Sequence, residues 1–436
     1  MSARCVAIAI LITVLAAPQV ARAACVSPST LGAIPGDGID DSPSIQTILS
    51  APGSRCVHLD AMYEVTKHGA QSVSIPARST MRGDGPGTGI TMIGPGDGTD
   101  WVGLHVLGDD VTLVDFEGRV DAGVTNTVEQ THVIQVSGPA QRILIDRLRL
   151  TNPQRYKPDG AAWPGGDCLR VIGKTGNAGA TPPVLPGPVV GITVTRVLYQ
   201  HCDRSAMQVQ RQVWRLTYTG NIHEDTGDQG FDAELTGDGL GGQWVIANNQ
   251  WLGGQQGNHD VALQSANGMI ADVVFSGNIL SGRGLYVRNV RGLVVLGNVI
   301  RNTAINTDST MFLSKTVEEA VITGNLIHRV GGAPGPVVGI LDHGTGSARD
   351  VVLTGNFLRQ DAPGVAANAL RLRGVRRVSV QGNRLANSGI KATGVPAVVV
   401  EPSTNGQGDQ LVDINTFHGG RCRRRRAAGR WSTPRR

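Results

Sequence analysis

The sequence predicts an all-β fold, a single-stranded right-handed parallel β-helix with an N-terminal cap helix. Three observations carry the prediction: a Gly-Asn turn recurs at a mean of 27 residues, glycine supplies 59 of 436 residues, and aromatic residues make up only 4%. Periods of roughly 20 to 50 residues mark solenoids, in which each coil packs only on its neighbours. Length alone would suggest two or three domains; a solenoid absorbs it in one body.

The turns read Gly220-Asn221, Asn248-Asn249, Gly277-Asn278, Gly297-Asn298, Gly324-Asn325, Gly355-Asn356 and Gly382-Asn383. Each follows a β-branched run, such as Val273-Val274-Phe275, and precedes an apolar residue, such as Ile279 or Phe357. Gly and Asn tolerate left-handed backbone, which allows a sharp corner between strands. Asn side chains stacked at one corner can bond from coil to coil along the axis. Leucine-rich and hexapeptide solenoids need other periods, and sandwich arrays need longer alternating strands. Runs near Val111-Thr112-Leu113, Ile143-Leu144-Ile145 and Ile192-Thr193-Val194 extend the rhythm with less regular turns. Gly176 to Pro188, rich in Gly and Pro, reads as an inserted surface loop.

The ends differ from the body. Residues 1–23 read as a signal peptide: Arg4, an apolar run from Val6 to Ala17, and Ala21-Arg22-Ala23 as the cleavage site. That run is too short to span a bilayer, no later segment does so, and export outside the cytoplasm is expected. The β-helix is expected over 24–418, and 419–436 reads as a basic, disordered tail. The tail holds eight Arg and no acid; without it and the leader's two Arg, 30 basic residues face 35 acidic ones. The formal charge of +5 therefore belongs to the ends, and nucleic acid is not an expected partner. Cys25 and Cys56 are placed to clip the cap, Cys168 and Cys202 lie on successive coils, and Cys422 is left over. No C-x-x-C or structural zinc spacing is present.

Alternation identifies the outward residues of each strand. With Leu169 and Val171 inside, Arg170 is outside; with Met207 and Val209 inside, Gln208 and Gln210 are outside. Phe231, Ala233 and Leu235 inside leave Asp232 and Glu234 outside. The next coils present Asp260, Ala262 and Gln264, then Tyr286 and Arg288, and later Arg371 and Arg373. Asp232 and Glu234, two apart on one strand, stand about 7 Å apart, a separation that suits an acid and a base or nucleophile. Close carboxylates push one proton affinity upward. His223, Glu224, Asp225 and Asp228 in the preceding turn, and His259 on the next coil, make this the densest titratable cluster.

Residues 32 to 93 add a second signal. Gly32-Ala33-Ile34-Pro35-Gly36-Asp37-Gly38-Ile39-Asp40-Asp41 leads into Ile45-Gln46-Thr47-Ile48-Leu49, and Met81-Arg82-Gly83-Asp84-Gly85 follows a strand. This resembles the entrance to the pectate-lyase-like β-helix superfamily, which includes polygalacturonases, alginate C5-epimerases and tailspike-like proteins. The resemblance implies the same fold and a cap helix opened by Asp37, Asp40 and Asp41 as capping residues. It leaves the reaction open. Against the polygalacturonase pattern, Gly227-Asp228-Gln229 stands where G-D-D would lie and His259 where the G-H-G histidine would lie. The resemblance thus carries over Asp228 and His259; Gln229 and Tyr286 depart from the pattern, and Asn306-Thr307-Asp308 lies on the wrong coil. Gly230-Phe231-Asp232-Ala233-Glu234 keeps the G-F-D of the epimerases' G-F-D-P-H and points again to Asp232.

These residues lead to the expectation of a secreted glycoside hydrolase that cleaves a polysaccharide laid along the outer face. Asp232 and Glu234 act as acid and base, assisted by Asp228 and His259. Gln208, Gln210, His223, Asp260, Gln264, Tyr286 and Arg288 bind substrate. The alternatives are a lyase or C5-epimerase of uronate polymers and a non-catalytic glycan-binding surface protein. Hydrolysis requires no cofactor; a lyase could hold Ca²⁺ at Asp228, Asp232, Glu234 and Asp260.

Overall fold

The computed structural model describes residues 24–53, 55–94, 101–124, 130–153, 166–173, 187–235, 240–253, 259–303, 309–331, 335–342, 346–361, 368–387, 397–403, 412–415 and 422–424. The expected signal peptide, most of the basic tail, Asn306-Thr307-Asp308 and most of the Gly176 to Pro188 loop lie outside the described residues.

Each coil contributes one strand to each of three parallel sheets. In one coil these are Val213–Thr219, Ile222–Glu224 and Gln229–Leu235, each paired in parallel with strands of the coils before and after. Two sheets are joined where Leu285–Leu296 and Met311–Thr323 run continuously through both; the third holds 12 short strands among the described residues. The core is the tube interior, where Phe231, Ala233, Leu235, Val261 and Leu263 are fully buried, as alternation requires.

The Gly-Asn corner is a hydrogen-bonded ladder. Gly220, Gly277, Gly297, Gly324, Gly355 and Gly382 all have φ between 58° and 66°, and Asn248 takes the same conformation at 56°. The following Asn is buried at every rung. From Asn221 to Asn356, both the backbone N–H and the side-chain Nδ2 donate to Oδ1 of the next Asn, at 2.8–3.0 Å. Earlier coils turn the same corner with Asp115, Arg147 and Arg196 in left-handed conformation, followed by buried Phe116, Leu148 and Val197. Ion pairs span these corners: Arg147 with Asp115, and Arg196 with Asp146 at 2.6 Å.

A helix, Ser42–Ser50, closes the N-terminal end by burying Ile45, Ile48 and Leu49. The expected capping is divided differently among the acids. Asp40 accepts from Ser42 N at 3.1 Å and Thr66 N at 2.9 Å, whereas Asp41 accepts from Ile34 N and Glu64 N and makes no side-chain cap bond. Asp37 accepts only from Ile39 N, within its own turn. Disulfides join Cys25 to Cys56 and Cys168 to Cys202, as the spacing suggested. Cys422–Arg424, expected in the tail, pairs in parallel with Val398–Glu401 and continues the ladder past residue 418. No helix among the described residues is long and apolar enough to cross a membrane.

Candidate active site

The strand Gln229–Leu235 lies between Ser205–Gln210 and Val261–Ser265, with the start of Leu285–Leu296 one coil further on. Register aligns one outward row as Gln135, Arg170, Gln208, Asp232, Ala262, Tyr286 and Phe312. A parallel row carries Glu234, Gln264, Arg288 and Ser314. Ala262 stands between Asp232 and Tyr286 in the row and is fully buried. Gly230 is required by packing: a Cβ there would lie 2.1 Å from Trp251 Cδ1.

Asp232 faces outward yet is only 4% exposed. Burial and, after it, the charge of Glu234 push its carboxyl up to about 8, with Arg204 opposing. It is therefore protonated at neutral pH. Asp228 is pushed up to about 6, mainly by burial, again against Arg204. Glu234 is half-buried. His259 is brought down to about 4 by burial and then by Arg283, so it is a neutral base at pH 7. Its ring stacks on Tyr286 with centroids 5.0 Å apart and planes at 19°. The Tyr286 hydroxyl bonds Ser314 Oγ at 3.0 Å. Asp228 Oδ1, Asp232 Oδ1, His259 Nε2 and Arg288 Nε are buried and have no hydrogen-bond partner among the described residues.

A second tier supports this group. Asp167 and His132 are fully buried, with His132 Nδ1 3.2 Å from Asp167 Oδ2. Arg170 Nη1 lies 3.0 Å from His132 Nε2, and the Asp167 backbone N–H lies 3.3 Å from His132 Nδ1. Burial opposes ionisation of Asp167, but Arg204, His132 and Arg170 together hold its carboxyl below the usual range. Arg204 lies 3.4 Å from Asp167 and donates from Nη2 to the Gln208 amide oxygen at 2.5 Å; the Gln208 nitrogen donates to Asp167 at 3.1 Å. Gln210 accepts from Arg170 at 2.9 Å.

Three sequence expectations are corrected. His223, expected at the substrate face, is fully buried in the interior, stacked between Tyr199 and Trp251 at centroid distances of 4.8 and 4.7 Å. Its Nε2 bonds the Tyr218 hydroxyl at 2.8 Å, and burial brings its proton affinity down to about 3. Asp260 is structural: its Oδ2 accepts from the backbone N–H groups of Gly282, Arg283 and Gly284 at 2.8–3.0 Å, pinning the next turn. Gln208 faces outward but is fully buried beneath the row, linking Arg204 to Asp167. Glu224 and Asp225 pair with Gln200 and His201. Asp228, Asp232, Glu234 and His259 remain in one neighbourhood, flanked by Gln210, Gln264, Tyr286 and Arg288. Sequence reasoning missed Asp167, His132 and Arg204: Asp167 and Arg204 lie just before strands, where alternation does not assign a face, and His132 is the second residue of the strand Thr131–Ser137.

Among the described residues no three His, Cys, Asp or Glu side chains are grouped to hold a metal ion. Asp260, one of the four residues considered for Ca²⁺, accepts from three backbone amides.

No protein-family model and no curated protein matches the sequence. Solved structures do match. The A-module of a mannuronan C-5 epimerase from Azotobacter vinelandii superposes with a TM-score of 0.66 at 14% identity, covering 90% of this chain and 99% of that one. This chain has the pectate-lyase-like parallel β-helix fold. A Dettilon tailspike protein shares it, with a TM-score of 0.52 at 11% identity over 85% of this chain and 70% of that one.

Proposed function

We propose that this β-helix is an exported enzyme that acts on an acidic polysaccharide by moving the proton at C5 of a uronate unit, as a lyase or epimerase. The observation that carries the reading is two groups neutral at pH 7 on adjoining coils, a protonated Asp232 and an unprotonated His259, each with a buried polar atom that has no hydrogen-bond partner among the described residues. Carbanion chemistry beside a carboxylate needs that combination. The Asp232 O–H donates to the uronate carboxylate, with Arg204 and Arg288 supplying positive charge nearby. His259 Nε2 accepts the C5 proton, and the electron pair moves into the carboxylate. The intermediate then collapses in one of two ways. Either the bond between C4 and the O4 oxygen breaks, with Tyr286 giving that oxygen its proton and a 4,5 double bond forming, or water on the opposite face gives a proton to C5 and the carboxylate is restored. A neutral acid adjoining the acceptor keeps the developing negative charge affordable at low dielectric cost. The two disulfides fit an oxidising compartment, in line with the leader read from the sequence.

Hydrolysis is the second reading. It is favoured by three carboxyls on one coil, Asp228, Asp232 and Glu234, of which Asp232 is raised to about 8 and Asp228 to about 6. One experiment separates the readings: the full chain is incubated in D₂O with a panel of uronate polymers. Deuterium at C5 by NMR marks epimerisation, and ultraviolet absorbance of an unsaturated sugar marks a lyase. New reducing ends without either mark a hydrolase and overturn the first reading.

A further inference from the structure

The outward row that carries Asp232 does not begin at the site. Register continues it through Arg170 and Gln135 to His105 and Ser74, five coil steps from Asp232. At about 4.8 Å per step the row is roughly 24 Å long. It ends in a pocket beneath the cap helix, lined by Ser42, Gln46, His68, Gln71, Ser72 and Ser74. Ser74 belongs to both the pocket and the row, and Gln71 of the pocket bonds it.

The pocket is built from fixed parts. Gln46 of the helix donates to Ser74 O at 3.1 Å and accepts from Ser74 N at 2.9 Å, pairing as a strand would. Asp40 holds His68 at 2.5 Å. Buried Trp101 donates to Ser72 Oγ at 2.8 Å. Gln71 bonds both His105 and Ser74. His105 bonds Ser137, which also accepts from Gln135 at 2.9 Å. Between Ser74 and Gln135 the row offers amides, hydroxyls and imidazole, and the first permanent cation is Arg170. This stretch suits sugar hydroxyls, whereas the arginines nearer Asp232 suit carboxylates.

Resting on the function proposed above, we infer that the cap pocket is a distal glycan subsite, which holds the hydroxyl groups of the same polysaccharide chain about 24 Å from the reacting unit. The enzyme then favours long chains over short ones.

The test is calorimetric binding of a uronate trisaccharide and decasaccharide to the full chain, with trisaccharide turnover measured in parallel. Wild type binds the decasaccharide about tenfold more tightly. Q71A and H68A each weaken decasaccharide binding about five- to tenfold and leave trisaccharide binding and turnover within about twofold. His68 is 55% exposed, so H68A keeps the fold even if Q71A disturbs its strand. Decasaccharide binding unchanged in both variants overturns the subsite while leaving the proposed function standing. Absence of any uronate binding or turnover overturns both.

Discussion

Replacing Asp232 by Asn tests the electrostatic heart of the site. Asp232 is almost fully buried, and its carboxyl is raised from an unperturbed value of 3.8 to about 8. The sign follows from linkage. The folded state prefers the protonated form, so the contribution is complete below pH 3.8 and is lost as pH rises through about 8. Between those limits one proton is taken up on folding, and stability falls by about 1.4 kcal/mol per pH unit from this residue alone. From pH 5 to 7.5 the wild type should therefore lose on the order of 3 kcal/mol that Asp232→Asn does not. Asp228 and Asp260 are raised for the same reason and tilt both proteins alike, so the informative quantity is the difference between variant and wild type. Urea unfolding followed by tryptophan fluorescence reads it, with Trp244 and Trp251 buried in the adjoining coil. A difference that stays constant from pH 5 to 7.5 would refute a protonated Asp232.

Three further outcomes are expected. The kcat/KM profile on the active substrate should be a bell, losing its acid side below about pH 4 as His259 protonates and its alkaline side above about pH 8 as Asp232 ionises; H259A should lower kcat by about 10²- to 10⁴-fold while retaining oligosaccharide binding by calorimetry. Asn298→Ala removes four side-chain hydrogen bonds in a buried corner and should destabilise the coil by about 4 kcal/mol, read as lost amide-exchange protection at Asn278 and Asn325. C168S opens a disulfide of sequence separation 34 and should cost about 3–4 kcal/mol in urea unfolding.

Much of the fold was legible because its later corners use residues with one conformational meaning. Gly followed by Asn names a left-handed turn and an amide rung together. The earlier corners are the same shape built from Asp115, Arg147 and Arg196, whose positive φ leaves no mark in composition. The site was legible where strands are long enough to alternate: Phe231, Ala233 and Leu235 inside fixed Asp232 and Glu234 outside. It failed at the edges of that rule. His223 is the middle of a three-residue strand, Ile222–Glu224, that faces inward, and a ring stacked between Tyr199 and Trp251 reads in sequence as merely polar. Asp260 stands one residue before its strand, where turn amides rather than pleating decide its direction.

The position of the site along the solenoid follows from those same corners. Asn221, the first rung of the ladder, belongs to the coil that carries Asp228, Asp232 and Glu234, and its Oδ1 also accepts from Val197 N of the preceding coil at 2.9 Å. The site coil is thus the junction between corners closed by apolar residues and ion pairs and corners closed by buried amides. Behind it the tube is filled by Tyr199, His223 and Trp251 in one stack, with Tyr218 and Phe231 edge-to-face beside it. Trp251 leaves no room for any side chain at position 230, which fixes the strand that carries Asp232. A carboxyl can be kept protonated at neutral pH only if its surroundings cannot relax to solvate it. A ladder anchored at one corner, an aromatic stack within and the Asp167–Arg204 pair alongside supply that rigidity to the coil of Asp228 and Asp232, and the raised proton affinity of Asp260 and the lowered one of His259 lie on the coil that packs directly against it.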